Sequence, residues 1–270
     1  VWALTGPFGL QHDPTITPEG ELLLFNNYAG RGRSNVLALD PATSRIVWSY
    51  PPPDGEPFYS QTCGTAARLP NGNTLITELG NKPRLMEVTA NGKIDVEFAL
   101  QPETDNAHMQ TRMARKLANG NYLVPHLLAF KVKEYTPSGQ VVESFATDLQ
   151  ELGGREAKNW PFTAIRLGSG NTLVCLTNGN KVVEMDRTGN VIWKVSNDDL
   201  ENDPIDDACG GQRLPNGNTV ITAYHAKVGV KLLEVTPDKQ IVWTYEGPHR
   251  AHHFQILTTN GKPIEGPPLR

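Results

Sequence analysis

The chain has 270 residues, among them 25 glycines and 21 prolines, and its formal net charge is −4. A chain of this length accommodates one large domain or two small ones, and it buries a core without help from disulfides or metals. The acidic balance argues against a dedicated nucleic-acid binder, and no apolar stretch approaches the roughly 20 residues that a membrane span needs.

Taken in chain order, the sequence repeats one phrase. The copies are TPEGEL at 17–22, RLPNGNTL at 68–75, RKLANGNY at 115–122, RLGSGNTL at 166–173, RLPNGNTV at 213–220 and LTTNG at 257–261. The glycines of these turns recur at intervals of 44 to 52 residues. Asn-Gly supplies the positive-φ positions of a tight hairpin, and the alternating Val, Ile and Thr around it predict strands.

A second phrase, with a tryptophan, follows the first. It reads RIVWSY at 45–50, NVIWKV at 190–195 and QIVWTY at 240–245. Each unit therefore holds four short strands, which is typical of a β-propeller; a linear solenoid is the competing architecture. We predict a single all-β domain of six blades at 8–50, 59–98, 108–145, 160–195, 206–245 and 250–270.

The two chain ends predict how this propeller closes. The segment VWALTGP at 1–7 is similar to VWTYEGP at 242–248, the last strand of a blade. We therefore expect residues 1–5 to complete the sixth blade, which pairs two otherwise open edges. The chain starts at Val1 without Met or a signal peptide, which predicts a processed product.

The residues that recur with the repeat differ from the residues whose side chains could take part in a reaction. Trp48, Trp193 and Trp243 recur with the repeat and are predicted to be structural, as are Glu87, Glu134, Glu184 and Glu234. Cys63, Cys175 and Cys209 lack CxxC spacing and are predicted to be buried free thiols. By contrast, all seven histidines fall in the loops joining strands four to one and two to three, or at the strand ends beside them, on one predicted face.

This face supplies the candidate site. The candidate catalytic residues are His12, His108, Arg112, His126, His225 and His253. The candidate substrate-binding residues are Asp13, Tyr59, Glu78, Trp160, Asn178, Asp207 and Tyr224. Three chemistries stay open: nucleophilic transfer by an imidazole with Arg112 offsetting negative charge, a divalent metal held by the same histidines, or a non-enzymatic surface for a glycan or protein.

Three motifs resemble those of two known families. QHDPTITPEG at 11–20 and FYS at 58–60 resemble the opening of arylsulfotransferase-like propellers, and DRTGNVIW at 186–193 resembles repeats of pyrroloquinoline-quinone-type propellers. The first resemblance implies sulfuryl transfer from one phenol to another through a histidine intermediate. His12 and His108 best match its site positions, with Arg112, His126, His225 and His253 near the same rim.

The resemblance also sets expectations for partners. The adjacent cysteine pair and the eight blades of quinone enzymes are absent from the sequence, which argues against a quinone cofactor, so we expect no cofactor unless a divalent metal is bound. The expected partner is a small-molecule substrate, or a glycan or protein ligand. The resemblance further implies a bacterial protein of the periplasm or the exterior, and we expect a monomer.

Overall fold

The fold is an all-β propeller, as the repeat predicts. The computed structural model describes residues 6, 8–51, 55, 58–80, 82–226, 229–259 and 261–263. These residues form five four-stranded sheets, the blades, in each of which the strands follow chain order. None of the helices in this part of the chain is long and apolar enough to cross a membrane.

The strands are short, as propeller blades require. The first blade holds β1 (Gln11–Ile16), β2 (Leu22–Gly30), β3 (Arg33–Leu39) and β4 (Ile46–Tyr50), and the second holds β5 (Thr65–Arg68), β6 (Thr74–Glu78), β7 (Arg84–Val88) and β8 (Ile94–Ala99). The third holds β9 (Arg115–Lys116), β10 (Tyr122–His126), β11 (Lys131–Tyr135) and β12 (Val141–Ala146).

The fourth and fifth blades have the same four-stranded organisation. The fourth holds β13 (Asn159–Arg166), β14 (Thr172–Asn178), β15 (Lys181–Met185) and β16 (Val191–Ser196), and the fifth holds β17 (Gly211–Arg213), β18 (Thr219–Thr222), β19 (Val230–Val235) and β20 (Ile241–Glu246). A hairpin of β21 (Thr258–Thr259) and β22 (Lys262–Pro263) follows. Short 3-10 turns lie at Ala107–Met109, Gln150–Leu152, Arg155–Ala157 and Asn197–Asp199.

The described residues divide into two compact units. One contains the residues up to 124 together with 134–142, and the other contains 125–133 together with those from 143 onward. In the first unit, Leu23 and Phe25 of blade one are buried in the same cluster as Ile76 of blade two. In the second, Leu173 of blade four is buried with Ile221 of blade five. Facing blades thus bury their apolar side chains against each other.

The repeated Asn-Gly phrase closes each hairpin and then binds the repeated glutamate. Gly72 adopts a φ of +84°, and the Asn71 and Asn73 amides donate to Oε1 of Glu87 at 3.1 and 2.8 Å. Burial would raise the pKa of Glu87, but hydrogen bonds from Lys116, Asn73 and Tyr122 outweigh it and lower the pKa to about 2. Asparagines of the turns bind Glu134, Glu184 and Glu234 likewise, so the structural role of this glutamate is confirmed.

The prediction of six blades is wrong for the described part of the chain, which forms five. The sixth turn glycine, Gly261, lies in the hairpin of β21 and β22, whose strands have 2 residues each. Residues 251–257 form no strand, so the turn at Gly261 closes only a two-stranded hairpin, which is too short to form a blade. The predicted closing strand at 1–5, and residues 264–270, lie outside the described residues.

Candidate functional site

One candidate site lies in the first unit around a cysteine, and we call it the thiol cluster: Cys63, His12, Asn27, His108 and Arg112. Cys63 Sγ lies 3.3 Å from His108 Nδ1 and also hydrogen-bonds the His12 side chain. The Thr62 hydroxyl is 3.2 Å from the same sulfur. The fold therefore brings two predicted histidines to Cys63, which is a buried free thiol as predicted.

The His12 ring is held at one nitrogen. Its Nδ1 lies 2.9 Å from the Leu10 carbonyl oxygen and 2.7 Å from Asn27 Oδ1. Both partners accept hydrogen bonds, so Nδ1 carries a proton and Nε2 is left to exchange one. The Asn27 amide is fixed in turn, because its Nδ2 donates to the Ser60 carbonyl oxygen at 2.9 Å.

The electrostatics of the thiol cluster favour an ion pair. Burial would raise the pKa of Cys63, but the hydrogen bond from His12 and the charge of Arg112 outweigh it and lower the pKa to about 6. The hydrogen bond to Cys63 raises the pKa of His12 despite its partial burial. These opposite shifts both favour a thiolate on Cys63 beside a proton on His12.

Arg112 and a short 3-10 turn position His108. Arg112 is 5% exposed, and its guanidinium donates to the carbonyl oxygens of Thr111 at 2.8 Å and His108 at 2.7 Å. The Asn106 side chain caps the turn by accepting from the His108 N–H at 3.1 Å. His108 is exposed and lines a cavity of about 380 Å³ together with Thr62 and Asp105.

The backbone around the thiol cluster adopts conformations that side chains disfavour. Cys63 has a φ of +54°, and Leu10 and Asp13, which lie near His12, have φ values of +56° and +52°. Non-glycine residues in the left-handed region cost free energy and concentrate at functional sites. A cysteine held this way next to two histidines indicates a built site.

A second candidate site lies in the second unit, and we call it the aromatic cluster: Asp207, His225, Tyr224, His252 and Phe162. Asp207 Oδ2 lies 2.8 Å from His225 Nδ1, and its Oδ1 accepts from the Asn178 N–H at 2.9 Å. Asp207 is 5% exposed, whereas the His225 side chain is 50% exposed. This pair orients an imidazole as catalytic dyads do.

Stacked rings surround this pair. Tyr224 stacks on His252 with ring centroids 3.5 Å apart and an interplanar angle of 14°. Phe162 also packs against His252, with ring centroids 5.4 Å apart. The Arg250 guanidinium lies 5.6 Å from the Tyr224 ring centroid. The arrangement suits a planar aromatic group or a cation.

The structure places the other predicted residues as follows. Tyr59 and Glu78 line a cavity of about 250 Å³ with Arg84, and Arg84 Nε donates to Glu78 at 2.5 Å. His126 is fully buried in β10. Trp160 lies edge-on to Phe130, and His253 lies against Phe162.

Two residues of the thiol cluster, Cys63 and Asn27, were not predicted from the sequence. The one signal that the sequence offers for them is a cysteine before a glycine, in a loop that leads into the first strand of a blade.

Within the described ranges, no group of three or more His, Cys, Asp or Glu side chains could hold a metal ion. Of the candidate histidines, His12 and His108 lie beside the Cys63 sulfur in the thiol cluster, and His225 pairs with the Asp207 carboxylate in the aromatic cluster.

Comparison with known proteins supports the fold and part of the resemblance. Residues 1–101 match the sequence model of the arylsulfotransferase (ASST) family, so this part of the chain is arylsulfotransferase-like. The matched part contains His12, Asn27 and Cys63, and it is shorter than half of the chain. No curated protein matches the chain.

Solved structures confirm the propeller. A protein of unknown function from Bacteroides caccae is similar with a TM-score of 0.69 and 21% identity, over 88% of this chain and 81% of that one. Virginiamycin B lyase from Staphylococcus aureus is similar with a TM-score of 0.61 and 13% identity, over 90% and 73%. A streptogramin B lyase gives 0.61 and 15%, over 91% and 71%. Identities this low establish the fold alone.

Proposed function

We propose that the chain is a group-transfer enzyme of arylsulfotransferase-like type, moving a sulfuryl or related group between small aromatic molecules through a histidine nucleophile. The observation that carries the proposal is the 3.3 Å contact between Cys63 Sγ and His108 Nδ1. A thiolate at Nδ1 holds the ring proton there, which leaves the Nε2 lone pair of an exposed histidine available for attack. The arylsulfotransferase match over residues 1–101 supports the same chemistry.

The steps follow from these contacts. His108 Nε2 attacks the sulfur of an aryl sulfate, the N–S bond forms as the S–O bond to the aryl oxygen breaks, and protonated His12 gives its proton to the departing phenolate. The acceptor phenol then returns a proton to His12 and takes the sulfuryl group from His108. The buried Arg112 charge, 5% exposed, offsets negative charge in this part of the unit.

Turnover of 4-nitrophenyl sulfate with a phenol acceptor tests the proposal. We expect His108→Ala to lower turnover about 100-fold or more, since loss of a covalent nucleophile removes the pathway. His249→Ala is the matched control, because His249 is an exposed histidine in a loop and its loss should leave turnover unchanged. Absence of turnover by the wild-type protein, or equal turnover by His108→Ala, would overturn the proposal.

The aromatic cluster favours a second candidate, a non-enzymatic binding propeller. The preformed stack of Tyr224 and His252 with Arg250 above it suits an aromatic or glycan ring. Calorimetric titration of the wild type and of Tyr224→Ala with phenyl glycosides separates the two functions. Binding that depends on Tyr224, in a protein without turnover, supports this candidate and not the first.

A further inference from the structure

We infer that Cys63, His12 and Asn27 form a second catalytic device, a cysteine triad that accepts an acyl group at sulfur from an activated carboxylic ester. The inference goes beyond the proposed sulfuryl transfer and stands without it. Its parts are a thiol that hydrogen-bonds an imidazole, and an amide oxygen 2.7 Å from the other nitrogen of that imidazole. Nucleophile, base and orienting group in this order are the components of cysteine-dependent acyl transfer.

The orientation of the ring assigns the roles. Because Asn27 Oδ1 and the Leu10 carbonyl oxygen both lie at Nδ1 of His12, Nε2 is the nitrogen that can take the thiol proton. Asn27 is 3% exposed and donates to the Ser60 carbonyl oxygen, so the amide cannot turn its NH₂ group toward the ring without losing that bond. The imidazole is therefore fixed as the base of Cys63.

The loop that carries Cys63 has an unusual backbone at the cysteine and at the residue after it. Cys63 has a φ of +54°, and a Cβ built on the following Gly64 would lie 2.2 Å from Phe25 Cζ. Only glycine fits at that place, so the chain passes close over Phe25 and turns sharply at the cysteine. Cys63 is 8% exposed, whereas Cys175 and Cys209 in the second unit are 0% and 1% exposed.

The proposed reaction is balanced within the triad. The thiolate attacks the ester carbonyl carbon, the C–S bond forms as the C–O bond breaks, and the imidazolium of His12 protonates the leaving alkoxide or phenoxide. Water then gives a proton to His12 and attacks the thioester, which releases the carboxylic acid and restores the thiolate with its imidazolium. The charge of Arg112, which contributes to the lowered pKa of Cys63, also favours the oxyanion that forms in each step.

The test uses 4-nitrophenyl acetate and the whole chain without any sulfate donor. We expect a burst of nitrophenolate close to one equivalent per chain, with the acetyl group located by peptide mass mapping on the Cys63 peptide. The Cys175 and Cys209 peptides of the same sample are internal controls and should carry none. Cys63→Ser should abolish the burst, and Asn27→Ala should slow it about 10-fold or more. Circular dichroism of each variant checks that it is folded.

Two further results separate this inference from the proposed sulfuryl transfer. In folded His108→Ala, sulfuryl transfer should be lost while the acetyl group still maps to the Cys63 peptide, because His12 and not His108 is the base of the triad. If Asn27→Ala does not fold, treatment of the wild type with iodoacetamide replaces it as the test. This treatment, given before the ester, should block the burst. No burst, an acetyl group mapped elsewhere, or a burst that persists in folded Cys63→Ser would overturn the inference.

Discussion

The thiol cluster and the aromatic cluster hold a histidine in the same way and differ in what each presents to the ring. In the first, a neutral amide oxygen lies 2.7 Å from His12 Nδ1; in the second, a carboxylate oxygen lies 2.8 Å from His225 Nδ1. His12 faces a thiol, whereas His225 lies beside the Tyr224 ring at a centroid distance of 4.9 Å. The same anchoring thus places a thiol beside the imidazole in one unit and an aromatic ring beside it in the other.

This difference follows from which negatively charged group lies beside each imidazole ring. The Asn27 amide carries no charge, so it is the thiolate sulfur that stabilises the proton on His12. Once the sulfur has reacted, that stabilisation of the proton is lost. A carboxylate pairs with the histidine directly, and no sulfur is needed. The comparison predicts that the chemistry of the first unit depends on Cys63 and that the second unit owes its local stability to Asp207.

The largest expected effect is the difference in reactivity among the three cysteines. At pH 7, iodoacetamide should modify Cys63 at least about 100-fold faster than Cys175 or Cys209, because the latter are 0% and 1% exposed. Peptide mass mapping over a time course measures all three rates in one sample. Equal rates would remove the distinction between the two units.

The pH profile of that reaction sharpens the same prediction. The rate at Cys63 should rise with pH through a midpoint of about 6, because His12, Arg112 and His108 face the sulfur and lower its pKa to about 6. His12→Gln removes the hydrogen bond that contributes most to this lowering and should move the midpoint upward. A midpoint that stays in place would show that His12 does not stabilise the thiolate.

The fold was predictable from the sequence as far as the repeat is complete. The turn phrase repeats in five blades and the Trp strand in three of them. Trp48 and Trp193 each donate from Nε1 to a carbonyl oxygen of the next blade at 2.8 Å. Trp243 stands in the same phrase but is 47% exposed. The repeated phrase is enough to predict the strand that carries the tryptophan. Whether the tryptophan is also covered depends on the next blade, which lies outside the phrase.

The site was predictable only in part. His12, His108 and Arg112 were found because histidines fall on one predicted face, and the structure brings these three together. Cys63 and Asn27 were missed, because a single cysteine without motif spacing resembles a core thiol and Asn27 continues strand β2. Their proximity arises from a pairing between blade one and the loop before β5 that no local pattern encodes.

Asp207→Asn should have the next largest effect and tests the second unit. The amide would offer one acceptor to two donors, the Asn178 N–H and His225 Nδ1, so the free energy of unfolding should fall by about 1–3 kcal/mol. Urea denaturation measures the change. Asp206→Asn removes the same charge from an exposed neighbour and should change stability by less than about 0.5 kcal/mol. Equal losses would show that the carboxylate–imidazole pair stabilises nothing.

The smallest expected effect is on the pH dependence of stability, because two shifts in the thiol cluster have opposite signs. The pKa of Cys63 falls from 9.0 to about 6, so alone it would add stability as the pH rises from about 6 to 9.0 and lose it as the pH falls back through about 6. The pKa of His12 rises above 6.5, so alone its contribution is present below pH 6.5 and is lost as the pH rises through the folded-state value.

At pH values above 6.5 at which His12 stays protonated in the folded protein, the unfolded pair carries one proton as the thiol and the folded pair carries one as the imidazolium. Equal proton counts give no slope, so the difference in unfolding free energy between the wild type and Cys63→Ser should stay constant within about 1 kcal/mol from pH 6.5 up to the folded-state pKa of His12. Urea denaturation of both proteins at several pH values measures it. Arg112 and His108 are present in both proteins, so to first order their contributions cancel in the difference. A difference that already grows directly above pH 6.5 would mean that the thiolate forms without a proton on His12, and one that shrinks there would mean that His12 is charged beside a neutral thiol.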